Sequence, residues 1–229
     1  MKNPWLDVPL ADYEGHMALP GIEQAQLLSD IFADALAKFS PCSVAVIGCA
    51  GGNGFDRIPP AVSRVVGVDL NPLFVAETEA RFRDRIEHLE LIAGDIQSPE
   101  ILFSPVDLIF LGLVLEYVDV DPVVAKMLSM LTPRGHMVTV LQLPSVGHQQ
   151  VSPSPFKKVS ALCRFLWNGR WFWQFEGAVM SRADVVRAQP NPLHRCPLAY
   201  ACSGPRKAVC RPRHGGQWRP FLSRPVPHD

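Results

Sequence analysis

Four apolar residues, Val44 to Ile47, run straight into a loop with glycines at Gly48, Gly51, Gly52 and Gly54. A second apolar run, Val65 to Val68, ends in Asp69, 21 positions after Gly48. Strand, glycine loop, strand and acid at this spacing describe a βαβ unit shaped for an adenosine-type cofactor. Glycine permits left-handed backbone and lets the main chain approach a ligand. The closing acid can accept hydrogen bonds from both ribose hydroxyls.

A nicotinamide-binding loop would read G-x-G-x-x-G, with a helix N-terminus facing the pyrophosphate. From Gly48 the third position is Ala50, and no other register fits. The order Gly48-Cys49-Ala50-Gly51-Gly52-Asn53-Gly54 resembles instead the first motif of class I S-adenosylmethionine methyltransferases. Asp69 matches that family's ribose acid, and LIAGDI, with Asp95, matches the acid beside the adenine. VDLIFLGLVLEYVD, Val106 to Asp119, is similar to its fourth strand and substrate-side loop. LTPRGHMVTVLQL, Leu131 to Leu143, is similar to its turn and fifth strand, and DYEGHM, Asp12 to Met17, to a stretch ahead of its first helix. Two positions depart from the pattern: Val46 stands where the family usually has an acid, and Ala50 where it has a glycine.

The resemblance spans roughly residues 10 to 160 and implies S-adenosyl-L-methionine as cofactor. It implies backbone contact at Gly48, Cys49, Ala50 and Gly52, ribose at Asp69 with Leu70 beside it, and adenine at Asp95 with Ile96 beside it. Parallel sheets bind ligands at the carboxyl ends of their strands. Glu116 and Tyr117, after the fourth strand, are therefore the candidate catalytic residues, with a solvated surface glutamate as the alternative for Glu116. Tyr13, His16 and Met17 are candidates to close over the sulfonium, whose charge favours an aromatic face. Asn53 reads as a residue tolerating left-handed backbone in the turn, and His136 as a surface residue.

Alternating strands and helices predict a doubly wound, mainly parallel α/β sheet of Rossmann-like type. A helical stripe runs over 22–39, from Ile22 to Phe39, stopped by Ser40-Pro41. Strands are expected at 44–47, 65–68, 89–92, 108–111 and 137–141. Asn71-Pro72 and Asp121-Pro122 each read as a helix start, a capping side chain followed by proline. Pro133-Arg134-Gly135 reads as a turn, and Val151 to Leu162 as a loop and helix start over the substrate pocket.

Residues 1–163 are expected to hold the whole domain, and the family's usual C-terminal strand pair to be missing or altered. Beyond Arg164 no strand pair is legible, and 164–229 reads as an atypical, poorly ordered Pro/Arg/Cys-rich segment. Residues 1–181 carry 13 Lys and Arg against 20 Asp and Glu; residues 182–229 carry 9 against 2, and 8 of the 22 prolines. A shifted reading frame or an authentic basic tail would each give such a break. Trp167, Trp171 and Trp173 read as cover for apolar surface. The spacing of Cys196, Cys202, Cys210 and His214 lacks the tight knuckle of a structural zinc site, so no metal is expected.

No run of 18 apolar residues exists, so no membrane span is expected. The N-terminus lacks a signal-peptide core, and a cytoplasmic location with reduced thiols is the expectation. The acidic body and the absence of an N-P-P-Y-type loop point away from nucleic acid and toward a small-molecule methyl acceptor. The alternatives are a nicotinamide-dependent oxidoreductase and a non-catalytic, degenerate or truncated domain. The sequence specifies neither acceptor atom nor oligomeric state.

Overall fold

The computed structural model describes residues 3–142 and 154–162, and the backbone of 184–187, 198–203, 209–212 and 218–221. A 3-10 turn, Pro4–Asp7, leads into α1, Leu10–Met17, and α2, Gln24–Phe39. Then follow β1, Ser43–Ile47; β2, Arg64–Asp69; α3, Pro72–Phe82; β3, Leu89–Ala93; β4, Val106–Gly112; α4, Val120–Ser129; and β5, Leu131–Gln142. These five strands are parallel in the order β3-β2-β1-β4-β5. The helix α5, Lys157–Ala161, follows.

Strand residues alternate between two cores, as the period of two requires. Val44, Val46, Val65, Leu108 and Phe110 pack under α2, where Phe32 meets Phe110 with ring centroids 5.0 Å apart. Ala45, Ile47, Val66, Ile109 and Leu111 face the opposite way, against Val123, Val124 and Met127 of α4. Burial on both faces explains why these strands read as unbroken apolar runs.

Asp107, at the start of β4, binds the bottom of the sheet. Its Oδ2 accepts from the Cys42 and Ser43 amides and the Ser43 hydroxyl, each at 3.1 Å. Its Oδ1 accepts from Thr132 Oγ1 at 2.9 Å. Burial raises its pKa, but these hydrogen bonds outweigh burial and hold the carboxyl below the ordinary aspartate range.

Several expectations need correction. DYEGHM is itself helical, forming most of α1. The stripe begins as helix only at Gln24, because Glu23 takes a left-handed φ of 47°. α4 starts two residues ahead of Pro122, with Asp119 at its N-cap and no side-chain capping bond. Pro133-Arg134-Gly135 is not a turn between elements but an irregularity inside β5. Val106 pairs with Leu131 and Leu108 with His136, so the extra residues bulge out of the ladder.

The sheet's far edge carries the altered strand pair. The backbone of β6, Asp184–Arg187, and β7, Leu198–Ser203, extends the order to β3-β2-β1-β4-β5-β7-β6, with β7 antiparallel to both neighbours. Of the two expectations, missing or altered, the pair is not missing; its first strand has only 4 residues. β8, Val209–Pro212, pairs with β9, Trp218–Phe221, in a separate antiparallel ribbon. Trp167, Trp171, Trp173, Cys196 and His214 lie outside the described residues. Among the described residues no helix is long and apolar enough to cross a membrane.

Asp107→Ala should destabilise the fold by about 2–3 kcal/mol, because four donors lose one anionic acceptor. A depressed folded pKa contributes stability above the unfolded aspartate value, about pH 4, and loses it as pH falls through the folded value. The gap between wild type and variant in denaturant melts should therefore close in strong acid. A gap independent of pH would show that packing, not charge, is what the substitution removes.

Candidate functional site

Asp69 ends β2, and each of its carboxylate oxygens takes one backbone amide. Oδ2 accepts from Ala50 N and Oδ1 from Asn71 N, both at 2.9 Å. Burial pushes this carboxyl above the ordinary aspartate range, and the two amides pull it part of the way back. Ala50 is pinned from both sides, since Thr78 Oγ1 lies 2.7 Å from its carbonyl. This anchoring holds Ala50 at a φ of 48°, a left-handed conformation that costs an L-residue roughly 1–2 kcal/mol. The position where the family has glycine thus keeps a glycine-like backbone with alanine in it.

Gly48 sits at a φ of 72°, and a Cβ there would stand 2.5 Å from Val114. Its amide and that of Cys49 are both taken by the Val68 carbonyl, at 2.8 and 3.2 Å. Gly48 therefore offers room beside the loop, not a free amide.

A cavity of about 160 Å³ opens at the carboxyl ends of β1, β2 and β4. That is on the order of ten times the space one buried water needs. Gly48, Ala50, Asp69, Leu70, Asp95, Ile96, Glu116, Tyr117, Tyr13, His16 and Met17 all line it. Cys49 and Gly52 do not. Cys49 is buried in the core, its thiol raised well above the usual range by burial and then by Asp69. A Cβ on Gly52 would stand 2.5 Å from Phe82, so this glycine serves the packing of α3.

The roof comes from the N-terminal segment, which supplies Asn3 and Trp5 besides the three α1 residues. Tyr13, His16 and Met17 stand at i, i+3 and i+4, which puts them on one helix face. The Trp5 ring meets Tyr13 edge-on at 5.9 Å and Tyr117 at 5.0 Å. Tyr13 keeps its phenolic proton, raised by burial first and then by the charges of Asp69 and Glu14. His16 is buried with no hydrogen-bond partner on Nδ1, and burial lowers its pKa, so the ring is neutral. Val159, inside α5, and Leu162, just past its end, close the roof.

Two fastenings hold this strap. Buried Asn71 caps α3 through Oδ1 and donates from Nδ2 to the carbonyls of Trp5, at 3.0 Å, and Val8, at 3.4 Å. Arg81 of α3 reaches both carboxylate oxygens of Glu14 and the Gly51 carbonyl. Gly51 leaves room here for the side chains of the strap. A Cβ would stand 2.6 Å from Glu14 Oε1, 2.8 Å from Arg81 Nη1 and 2.9 Å from Leu10 Cδ2.

Asn53 is not left-handed; its Nδ2 donates to Ala25 O at 3.0 Å and ties the loop to α2. His136 is half-buried, stacked on Phe39 with centroids 4.1 Å apart, away from the cavity. Sequence reasoning missed Trp5, Gln24, Phe74 and Gln97 among the lining residues. Gln97 carried a usable signal, lying two residues past Asp95; Trp5 and Gln24 carried none.

Residues 46–137 match the family model of a methyltransferase domain. This stretch is similar to methyltransferase domains. The chain is 33% identical to nodulation protein S of Sinorhizobium fredii over 144 residues, 60% of this chain and 59% of the relative. It thus spans less than two thirds of the curated relative that it matches. Among solved structures it resembles the N-methyltransferase NodS from Bradyrhizobium japonicum WM9 in complex with S-adenosyl-L-homocysteine. The TM-score is 0.52 at 22% identity, covering 87% of this chain and 90% of that one. The plantazolicin methyltransferase BamL, in complex with a triazolic desmethylPZN analogue and S-adenosyl-L-homocysteine, gives 0.57 at 11% identity over 80% and 85%. At these identities the structures show a shared fold.

Gly51→Ala should unseat α1 from the glycine loop and α3. Limited proteolysis is then expected to cut between residues 3 and 20 faster than in wild type, with a loss of about 1–3 kcal/mol. Unchanged cleavage would mean that the Glu14–Arg81 pair gives way instead.

Proposed function

We propose that this chain is an S-adenosylmethionine-dependent methyltransferase acting on a small-molecule acceptor. One observation carries the choice of cofactor. The glycine loop runs into a single 3-10 turn, Phe55–Arg57, and then directly to β2, with no α-helix between. A dinucleotide pyrophosphate needs such a helix N-terminus. The charged groups among the described lining residues, Asp69, Asp95 and Glu116, are all acidic. That favours a cationic ligand over a doubly anionic one and leaves the oxidoreductase alternative without support.

The residues fit the cofactor. Gly48 leaves a cradle that a Cβ would fill, and both Asp69 oxygens keep a lone pair after their backbone bonds. Asp69 would take the ribose hydroxyls, Asp95 with Ile96 the adenine, and Gly48 and Ala50 the loop side. When bound, the sulfonium supplies an activated methyl group for in-line displacement. This chain's part is alignment and exclusion of water, which can lower the barrier substantially. Trp5, Tyr13 and Tyr117 offer aromatic faces toward positive charge. Glu116 and Tyr117 lie where an acceptor would enter, and Glu116 would accept an N–H or O–H of that acceptor. The solved NodS structure is described as an N-methyltransferase. An amine acceptor suits a cavity whose described walls hold no Lys or Arg.

S-adenosyl-L-homocysteine at about a hundred times its dissociation constant should stabilise the chain by roughly 2.7 kcal/mol, and NAD should not. A shift with NAD alone would overturn the reading. Asp69→Ala should abolish the shift.

The same carboxylate gives a pH signature. Ligand affinity should fall on acidification through the raised pKa of Asp69, at a higher pH than an ordinary aspartate would give. For the unliganded fold the sign reverses. A raised folded pKa contributes stability at low pH that is lost as pH rises through that value. Titrating S-adenosyl-L-homocysteine binding by calorimetry across pH checks this; a flat profile would remove Asp69 from the binding equilibrium.

A further inference from the structure

The adenine-side wall is the turn Asp95–Ser98 that leaves β3. Its backbone closes on itself, Ser98 N donating to Asp95 O at 2.8 Å. Ile96 turns its side chain to the core, and beyond the turn Ser98 O accepts from Ile101 N at 3.2 Å. One side chain reaches both this carbonyl and that of Ile96. Lys126 Nζ, from the middle of α4, donates to Ile96 O at 2.9 Å and to Ser98 O at 2.5 Å. An ammonium has three donors, so two carbonyls leave it one.

A second connection runs from the start of the same helix. The Asp119 amide at the N-cap of α4 donates to Gln97 Oε1 at 2.9 Å. Gln97 Nε2 in turn lies 3.3 Å from both oxygens of Asp95, and its backbone N donates to Asp95 Oδ1 at 2.9 Å. The orientation of the Asp95 carboxylate is therefore set by Gln97, and that of Gln97 by α4. The helix is a firm platform, since Val123, Val124 and Met127 are buried against the sheet. Lys126 itself is not part of the cavity wall.

We propose that Lys126 is a positioning residue for nucleobase recognition: it fixes the Asp95–Ser98 turn on α4 and thereby aims the Asp95 carboxylate into the cofactor cavity. The inference rests on the methyltransferase reading above, which gives Asp95 the adenine. A carboxylate aimed at the 6-amino group rejects a 6-oxo base, because a site built for a hydrogen-bond donor discriminates strongly against its absence. Loosening the turn weakens that discrimination before it weakens the fold. Burial lowers the Lys126 pKa and the Asp95 charge opposes this.

The test compares dissociation constants of S-adenosyl-L-homocysteine and its 6-oxo counterpart, S-inosyl-L-homocysteine, by calorimetry. Wild type should favour the adenosyl compound at least tenfold. Lys126→Met keeps the stem's packing and removes the donors. It should weaken the adenosyl compound about tenfold and bring the ratio toward one, while the unliganded melting temperature moves little. Lys126→Arg should recover part of the ratio. Gln97→Ala cuts the second connection from an exposed position and should narrow the ratio as well. A lower melting temperature with an unchanged ratio in both Lys126→Met and Gln97→Ala would make Lys126 merely structural and overturn the proposal. Failure of wild type to bind the adenosyl compound at all would overturn the methyltransferase reading, and this inference with it.

Discussion

The carboxylate of Asp69 is the point on which the cavity turns, because it ties together two chain segments that never pair as strands. One oxygen fixes the glycine loop at Ala50 and the other fixes the entry to α3 at Asn71. From Asn71 the connection passes on to the carbonyls of Trp5 and Val8. Floor, helix entry and roof thus hang on one acid and the amide two residues after it. The arrangement also explains how Ala50 can hold a left-handed backbone without glycine. Its amide and carbonyl are both committed, so relaxing the φ would break two hydrogen bonds near a buried charge.

The parts of the fold written in local pattern were legible. Four strands buried on both faces announce themselves as apolar runs, and Asn71-Pro72 marks a helix start because a capping oxygen and a pre-set φ act within three residues. What failed was structure that depends on distant partners. Pro133-Arg134-Gly135 has turn composition, yet pairing with β4 draws it into a strand as a bulge. The pair β6 and β7 sits in a stretch rich in Pro and Arg, and its ordering rests on the β5 edge, from Met137 to Gln142. No window of local propensity contains that edge.

The candidate site divides in the same way. Asp69 ends a strand and Asp95, Glu116 and Tyr117 follow strands, which made their shared wall legible, since strand ends in a parallel sheet converge on one crevice. Trp5 was not, because its place follows from contacts with residues more than sixty positions away. Cys49 and Gly52 were drawn in by the glycine motif, but motifs fix a loop's shape and not the direction of each residue in it. Cys49 faces the core and Gly52 faces α3. Gly51, whose role sequence reasoning left open, serves the strap.

That strap has a consequence for the order in which the molecule matures. Residues 3–17 come first in the chain, yet their seats are Asn71, Arg81 and Tyr117. The sheet closes pairs of comparable separation, Val44 with Leu108 across 64 positions, and does so without the strap. The strap has nothing to sit on until α3 and the segment after β4 are in place, so a folded body is the precondition of a roofed cavity.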